Sequence, residues 1–173
     1  CSALTTATLG SMANVSNASW LFSGCSALTT ATLEAMAKTV SVQGIFHDCR
    51  SLRSVTLDFT GGEITNISYL CNQCNRLEIV TGVIDLSRVT DTGSAFAGCV
   101  ILREVRLKGL KVDLNLTDCA NLSVESVKYL VDNLQQSTGK SITLPRAWQQ
   151  ANTSEARDNA KAASQKGFTL NFR

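Results

Sequence analysis

The chain has 173 residues, 44% of them hydrophobic and 17% charged, with a formal net charge of +2. That is the size and balance of one folded domain with its own core, not of a disordered segment, and it is too near neutral for a nucleic-acid footprint. No apolar run approaches the roughly 18 residues of a membrane span, so no membrane insertion by this segment is expected.

Residues 1–24 lack a basic start followed by an apolar stretch, so they do not read as a signal peptide. They read instead as the first copy of a repeat. Cysteines stand at 1, 25, 49, 74, 99 and 119, in steps of 24, 24, 25, 25 and 20. Three residues after each comes a leucine: Leu4, Leu28, Leu52, Leu77, Leu102 and Leu122. Three further on stands a small or branched apolar residue (Ala7, Ala31, Val55, Val80, Val105), and two more reach Leu9, Leu33, Leu57 and Leu107. In the fourth copy Val83 takes that last place one residue late. The L-x-x-(A/V)-x-L spacing is that of leucine-rich repeats around their short strand, and its period-2 ending puts apolar side chains on the core face.

The other half of each unit is as regular. Eight residues before the next cysteine stand Asn17, Ser41, Asn66 and Asp91, all residues of the helix N-cap class. Apolar residues follow at helical spacing, as in Ala18, Leu21 and Phe22 or Val42, Ile45 and Phe46, which predicts one or two helical turns. The expected fold class is therefore an α/β repeat solenoid: a leucine-rich-repeat-like right-handed stack, with parallel strands on one face and short helical turns opposite. One unit buries too little apolar surface to stand alone, so neighbours must stack. Cys1 is in register with Cys25, so the chain is expected to be cut from within a longer array.

After Cys99 the period breaks. Val112, Leu114 and Leu116 alternate as in a strand, and Ser123 is placed to cap a helix carrying Val124, Val127, Leu130, Val131 and Leu134. Ser141–Leu144 reads as a strand followed by Pro145, and a polar helix is predicted over 153–166, with Asn152 and Glu155 as a capping box and Gly167 as its stop. Phe168, Leu170 and Phe172 alternate as a closing strand. The expected division is repeats over 1–119 and capping strand–helix units over 120–173.

Phe22-Ser-Gly-Cys25-Ser-Ala-Leu28, Phe46-His-Asp-Cys49-Arg-Ser-Leu52 and Phe96-Ala-Gly-Cys99-Val-Ile-Leu102 resemble the F-x-x-C-x-x-L phrase of the BspA-like leucine-rich repeats of bacterial surface proteins. The resemblance covers about residues 1–122, with Cys71 where phenylalanine is expected. It implies an exported, often adhesive bacterial protein at the cell surface or beyond it, and it implies no particular ligand.

Enzyme chemistry finds little support. Residues one coil apart lie about 4.8 Å from each other with side chains pointing the same way, whereas a disulfide wants Cβ atoms near 3.8 Å and facing. The cysteine column therefore reads as a ladder of buried thiols. Cys71-Asn-Gln-Cys74 has no second pair to complete a zinc site and fills two core columns. His47 is the only histidine, at a variable turn position expected to be exposed, so nucleophile–base pairing has one candidate base. Asp58, Glu78 and Glu104 lie among arginines as on a solvated face. No catalytic residue, metal or cofactor is expected.

What remains is the solvent side of the strands. One column is Thr6, Thr30, Ser54, Ile79 and Glu104; a second is Thr8, Thr32, Thr56, Thr81 and Arg106; a less regular third holds Glu34, Asp58 and Lys108. Threonine suits a half-exposed strand by its branched Cβ alone. The same columns form the surface that horseshoe repeats use for recognition, and arginine is the strongest hot-spot residue among them. The expected function is a non-enzymatic, monomeric binding module for a protein or glycan, with Glu104, Arg106 and Lys108 projecting together as its anchor. The alternative is a structural spacer within a longer surface protein.

Overall fold

A computed structural model describes residues 1–10, 12–59 and 61–173. It is a mixed α/β molecule whose strands pair parallel in three sheets, with few helices. The first sheet holds β1 (Thr6–Leu9), β2 (Thr30–Leu33), β3 (Ser54–Leu57) and β4 (Ile79–Thr81) in chain order. Its register joins equivalent residues of the sequence repeat: Thr6 pairs with Thr30, Thr30 with Ser54, Ser54 with Ile79, and an isolated bridge carries the column on to Glu104. Alternation does the rest. Ala31, Leu33, Val55 and Leu57 are buried, while the threonines between them face out.

The fourth copy departs from the expected pattern. Gly82 and Val83 interrupt the strand, and Ile84, not Val83, resumes the buried leucine column. Ile84 opens β5 (Ile84–Asp85), which pairs with β6 (Leu107–Lys108). The bulge needs glycine: Gly82 has φ +85°, and a Cβ there would strike the Leu57 carbonyl.

The turn face also differs from expectation, and more deeply. No helix forms between residues 17 and 99 among the described residues. Each stretch is instead a run of three i→i−3 turns. In the second copy these are Ile45 N–H to Val42 O, His47 to Gly44 and Cys49 to Phe46. The intervening amides leave the copy altogether: Trp20, Phe22 and Gly24 donate to Gln43, Ile45 and His47 of the next, and Gly44, Phe46 and Asp48 donate to Ser68, Leu70 and Asn72. A helix would satisfy those amides within the segment. Here they join successive copies on the turn face as the ladder joins them on the strand face. The expected caps accordingly serve as Asx-type turns, with Asn17, Asn66 and Asp91 side chains accepting from the amides two residues on, at 2.8, 2.8 and 2.9 Å.

Between the two faces lies one continuous core. Phe22 and Phe46 stack at 5.7 Å. Every cysteine except Cys1 is buried, and all seven are free thiols. The Cys49 and Cys74 thiols donate to the Phe22 and Phe46 carbonyls at 3.0 Å, and Cys99 to the Cys71 carbonyl at 3.1 Å. A residue that is small, apolar and a weak donor meets all three needs of that column.

The last third carries β7 (Leu114–Asn115), α1 (Val124–Asp132), β8 (Lys140–Leu144), α2 (Arg146–Ala151), α3 (Thr153–Gln165) and β9 (Phe168–Phe172), with β7, β8 and β9 parallel in that order. Ser123 caps α1 as expected, accepting from the Ser126 amide. The capping box does not form. Asn152 makes no side-chain cap bond, because it ends α2, an element the sequence reading left out, and its amide nitrogen turns back to the Trp148 carbonyl. Trp148 itself is buried and donates to the Leu122 carbonyl at 2.8 Å, which ties the tail to the last repeat leucine.

Candidate interaction surfaces

The expected strand-face residues occupy the outer side of the parallel ladder. Thr6, Thr8, Thr30 and Thr81 are exposed, Thr32, Ser54 and Thr56 are half-buried, and Asp58 is exposed just beyond β3. The Thr56 and Thr81 hydroxyls bond to each other at 2.8 Å. Through most of its length this face is shallow.

It deepens at one end. The strand is interrupted at Gly82–Val83, and residues of α1 and its cap lie beside this break. The space between is a groove of about 780 Å³. Ile79 and Val83 give it apolar walls, Glu104, Arg106 and Glu125 bring charge, and Ser123, Ser126 and Tyr129 come from the start of α1. The Arg106 guanidinium lies 5.9 Å from the centre of the Tyr129 ring, a cation–π contact that holds it at the groove. Glu104 is 3.7 Å from Arg103, which also meets Glu78 at 3.5 Å. These pairs are half-exposed and contribute little to stability. The cluster thus joins two signs of charge, an aromatic ring and an apolar wall in one concavity.

Lys108 is not among the residues that line the groove. Beyond the bulge it belongs to a different sheet, where it pairs with Asp85 at 3.1 Å. Burial pushes the Asp85 carboxyl up, but the hydrogen bonds from Ser87 and the Lys108 ammonium outweigh it and hold that carboxyl below its usual range.

A second surface was not foreseen. Five residues before Cys25, Cys49, Cys74 and Cys99 the backbone is left-handed: Trp20 (φ 62°), Gly44 (57°), Tyr69 (57°) and Ser94 (54°). Glycine adopts this conformation freely, whereas for a bulky residue it costs about 1–2 kcal/mol. Trp20 and Tyr69 nonetheless stand there, 44% and 40% exposed. Between them Gly44 is buried, and a Cβ on it would run into the Trp20 ring. The indole leans across the glycine to within 6.1 Å of the Tyr69 ring, and His47 meets both edge-on, at 5.6 and 6.2 Å. His47 is half-buried, not exposed as expected. Its Nδ1 is the one shielded side-chain polar atom without a hydrogen-bond partner among the described residues, an arrangement that costs about 1–3 kcal/mol.

The thiols of Cys49, Cys71, Cys99 and Cys119 are held in the protonated, weakly nucleophilic form. Burial pushes the thiols of Cys49 and Cys119 up to about 12 and raises that of Cys99, while a hydrogen bond with the Cys74 thiol, and then burial, raises that of Cys71. No helix among the described residues is long and apolar enough to cross a membrane. Comparison of the chain with family models, with characterised proteins and with solved structures returns no match.

Proposed function

We propose that the chain is a leucine-rich-repeat-like solenoid of right-handed coils, with residues 1–119 as repeats and 120–173 as its capping units. In-register pairing of residues 24 or 25 apart supports the stack, and the strong preference of parallel crossovers for one hand supports its sense. Its function, in this reading, is that of a non-enzymatic binding module acting at a bacterial cell surface or in secreted form, as the resemblance to BspA-like repeats implies. The partner is a protein, engaged by the strand face at the groove beside α1.

One observation carries the choice of site. Arg106 is exposed, oriented by Tyr129, and set in a concavity with apolar walls. Arginine and tyrosine in a partly enclosed pocket are the residue types that dominate interface energetics. Thr56 and Thr81 extend the contact along the sheet with short side chains that have little entropy to lose.

The test uses immobilised extracellular proteins as bait for the whole chain. A partner retained by the wild type should bind Arg106→Glu about tenfold or more weakly, while Lys161→Glu on the polar helix α3 leaves binding unchanged and neither variant alters thermal stability. A partner indifferent to both Arg106→Glu and Thr81→Lys would show that the strand face is the wrong surface.

A further inference from the structure

The patch of Trp20, His47 and Tyr69 has no role in the core or in the groove. Three unfavourable choices converge on it: two bulky residues in left-handed backbone, and an imidazole whose shielded nitrogen has no partner. Glycine at 20 and 69, as at 44, would avoid the first two. Strain of this kind, concentrated on exposed rings, marks a site and not a packing solution. The backbone beneath is rigid, because the amides of Trp20, Gly44 and Tyr69 each donate to the next copy, at 2.8 Å in every case. We propose that these rings form a stacking platform for a neutral pyranose chain, a second binding site on the turn face, independent of the groove at Arg106.

The ligand class follows from shape and charge. The rings touch one another, with centroids 5.6 to 6.2 Å apart, so no slot opens between them to enclose a quaternary ammonium. Trp20 and Tyr69 are nonetheless part-exposed, so a ligand would lie across the rings and not between them. The C–H hydrogens on one side of a pyranose ring carry slight positive charge and meet the negative face of an aromatic ring. The surroundings are polar, and the charged pair among them is compensated within itself. The Ser19 and Ser41 hydroxyls bond to each other at 2.8 Å, Gln43 flanks Gly44, and the nearby Asp48 is taken up by Arg50 at 2.6 Å. Amides and hydroxyls suit sugar hydroxyls, and the Arg50 guanidinium is already paired with a carboxylate.

The protein contains its own reporter. Of its two tryptophans, Trp148 is buried and hydrogen-bonded, so quenching of the emission by acrylamide reads Trp20. The probes are cellohexaose, chitohexaose and mannohexaose at millimolar concentration, each with the whole chain. At least one should shift the Trp20 emission and protect it from acrylamide. Tyr69→Asn, a residue that tolerates the left-handed backbone, should weaken that saccharide about tenfold with an unchanged circular dichroism spectrum. Tyr69→Phe should bind as the wild type does, and so should Arg106→Glu, which separates this site from the groove. Protection by none of the three saccharides overturns the proposal. So does protection that survives Tyr69→Asn, protection given equally by tetramethylammonium, or self-association that disappears in Trp20→Ala, which would make the patch a contact between copies of the chain.

Discussion

The strand face and the turn face solve the same problem under different constraints. Both must join each copy to the next through backbone hydrogen bonds. On the strand face the ladder does this with extended backbone that any β-branched residue accepts, so Thr6, Thr30, Ser54 and Ile79 occupy one register position without strain. On the turn face the same linkage requires left-handed backbone at two places per copy. Gly24, Asp48, Gln73 and Gly98 hold one, and Trp20, Gly44, Tyr69 and Ser94 the other. A permissive face hides its functional residues among suitable ones. A restrictive face exposes them, because a residue that violates the local rule needs a reason to be there.

The largest effects that separate core from either face come from the aromatic column. Phe46→Ala removes a fully buried ring stacked on Phe22 and should cost about 3–5 kcal/mol, read as a lowered urea midpoint. Thr32→Ala on the strand face should stay within about 0.5 kcal/mol. Equal losses would mean the column is not the core.

Next comes the thiol ladder. Burial raises the Cys49 and Cys119 pKa values in the folded state, from 9.0 to about 12. A raised folded pKa contributes stability that is whole below the unfolded value and is lost as pH rises toward the folded one. Stability should therefore fall between about pH 9 and 12, and Cys49→Ala should flatten that fall. In the native protein at neutral pH a thiol reagent should modify Cys1 alone, and in denaturant all seven. Rapid native labelling of several cysteines would contradict the ladder.

Smaller is the loss of one Asx turn. Asn66 accepts from the Ser68 amide and hydroxyl at 2.8 and 2.7 Å, so Asn66→Ala should cost about 1 kcal/mol by stranding those donors. An unchanged midpoint would mean the turn does not depend on its side chain.

A near-cancellation at Trp20 is the most telling about the two faces. Trp20→Asn relieves left-handed strain while uncovering Gly44, and the two should nearly cancel, to within about 1 kcal/mol. A loss near that of Phe46→Ala would make Trp20 a structural staple and remove the reason for reading it as a site.

Much of this was legible in the sequence, and the failures have a common cause. The cysteine and leucine columns, the strands and the Ser123 cap of α1 were all set by periodicity. The turns were misread because Ala18, Leu21 and Phe22 have the i, i+3, i+4 spacing of a helix, and consecutive i→i−3 turns bury the same positions. The corrective signal was present: Gly44 stands five residues before its cysteine, and Gly24 and Gly98 one before theirs, where a helix has no need of glycine. The aromatic patch was missed because Trp20 and Tyr69 are 49 residues apart and converge only across a glycine. The groove was half legible. Arg106 and Glu104 were expected at the strand end, but the bulge beside them depends on Gly82 clearing the Leu57 carbonyl.

Everything proposed for the turn face rests on hydrogen bonds between copies in place of bonds along a helix. Trans-hydrogen-bond scalar couplings in an isotopically labelled sample measure this directly. Couplings from the amides of Trp20, Phe22 and Gly24 to the carbonyls of Gln43, Ile45 and His47 are the predicted result. Couplings from residues 21–25 to the carbonyls four residues before them would contradict it, and would restore a helical turn in which Trp20 bears no strain.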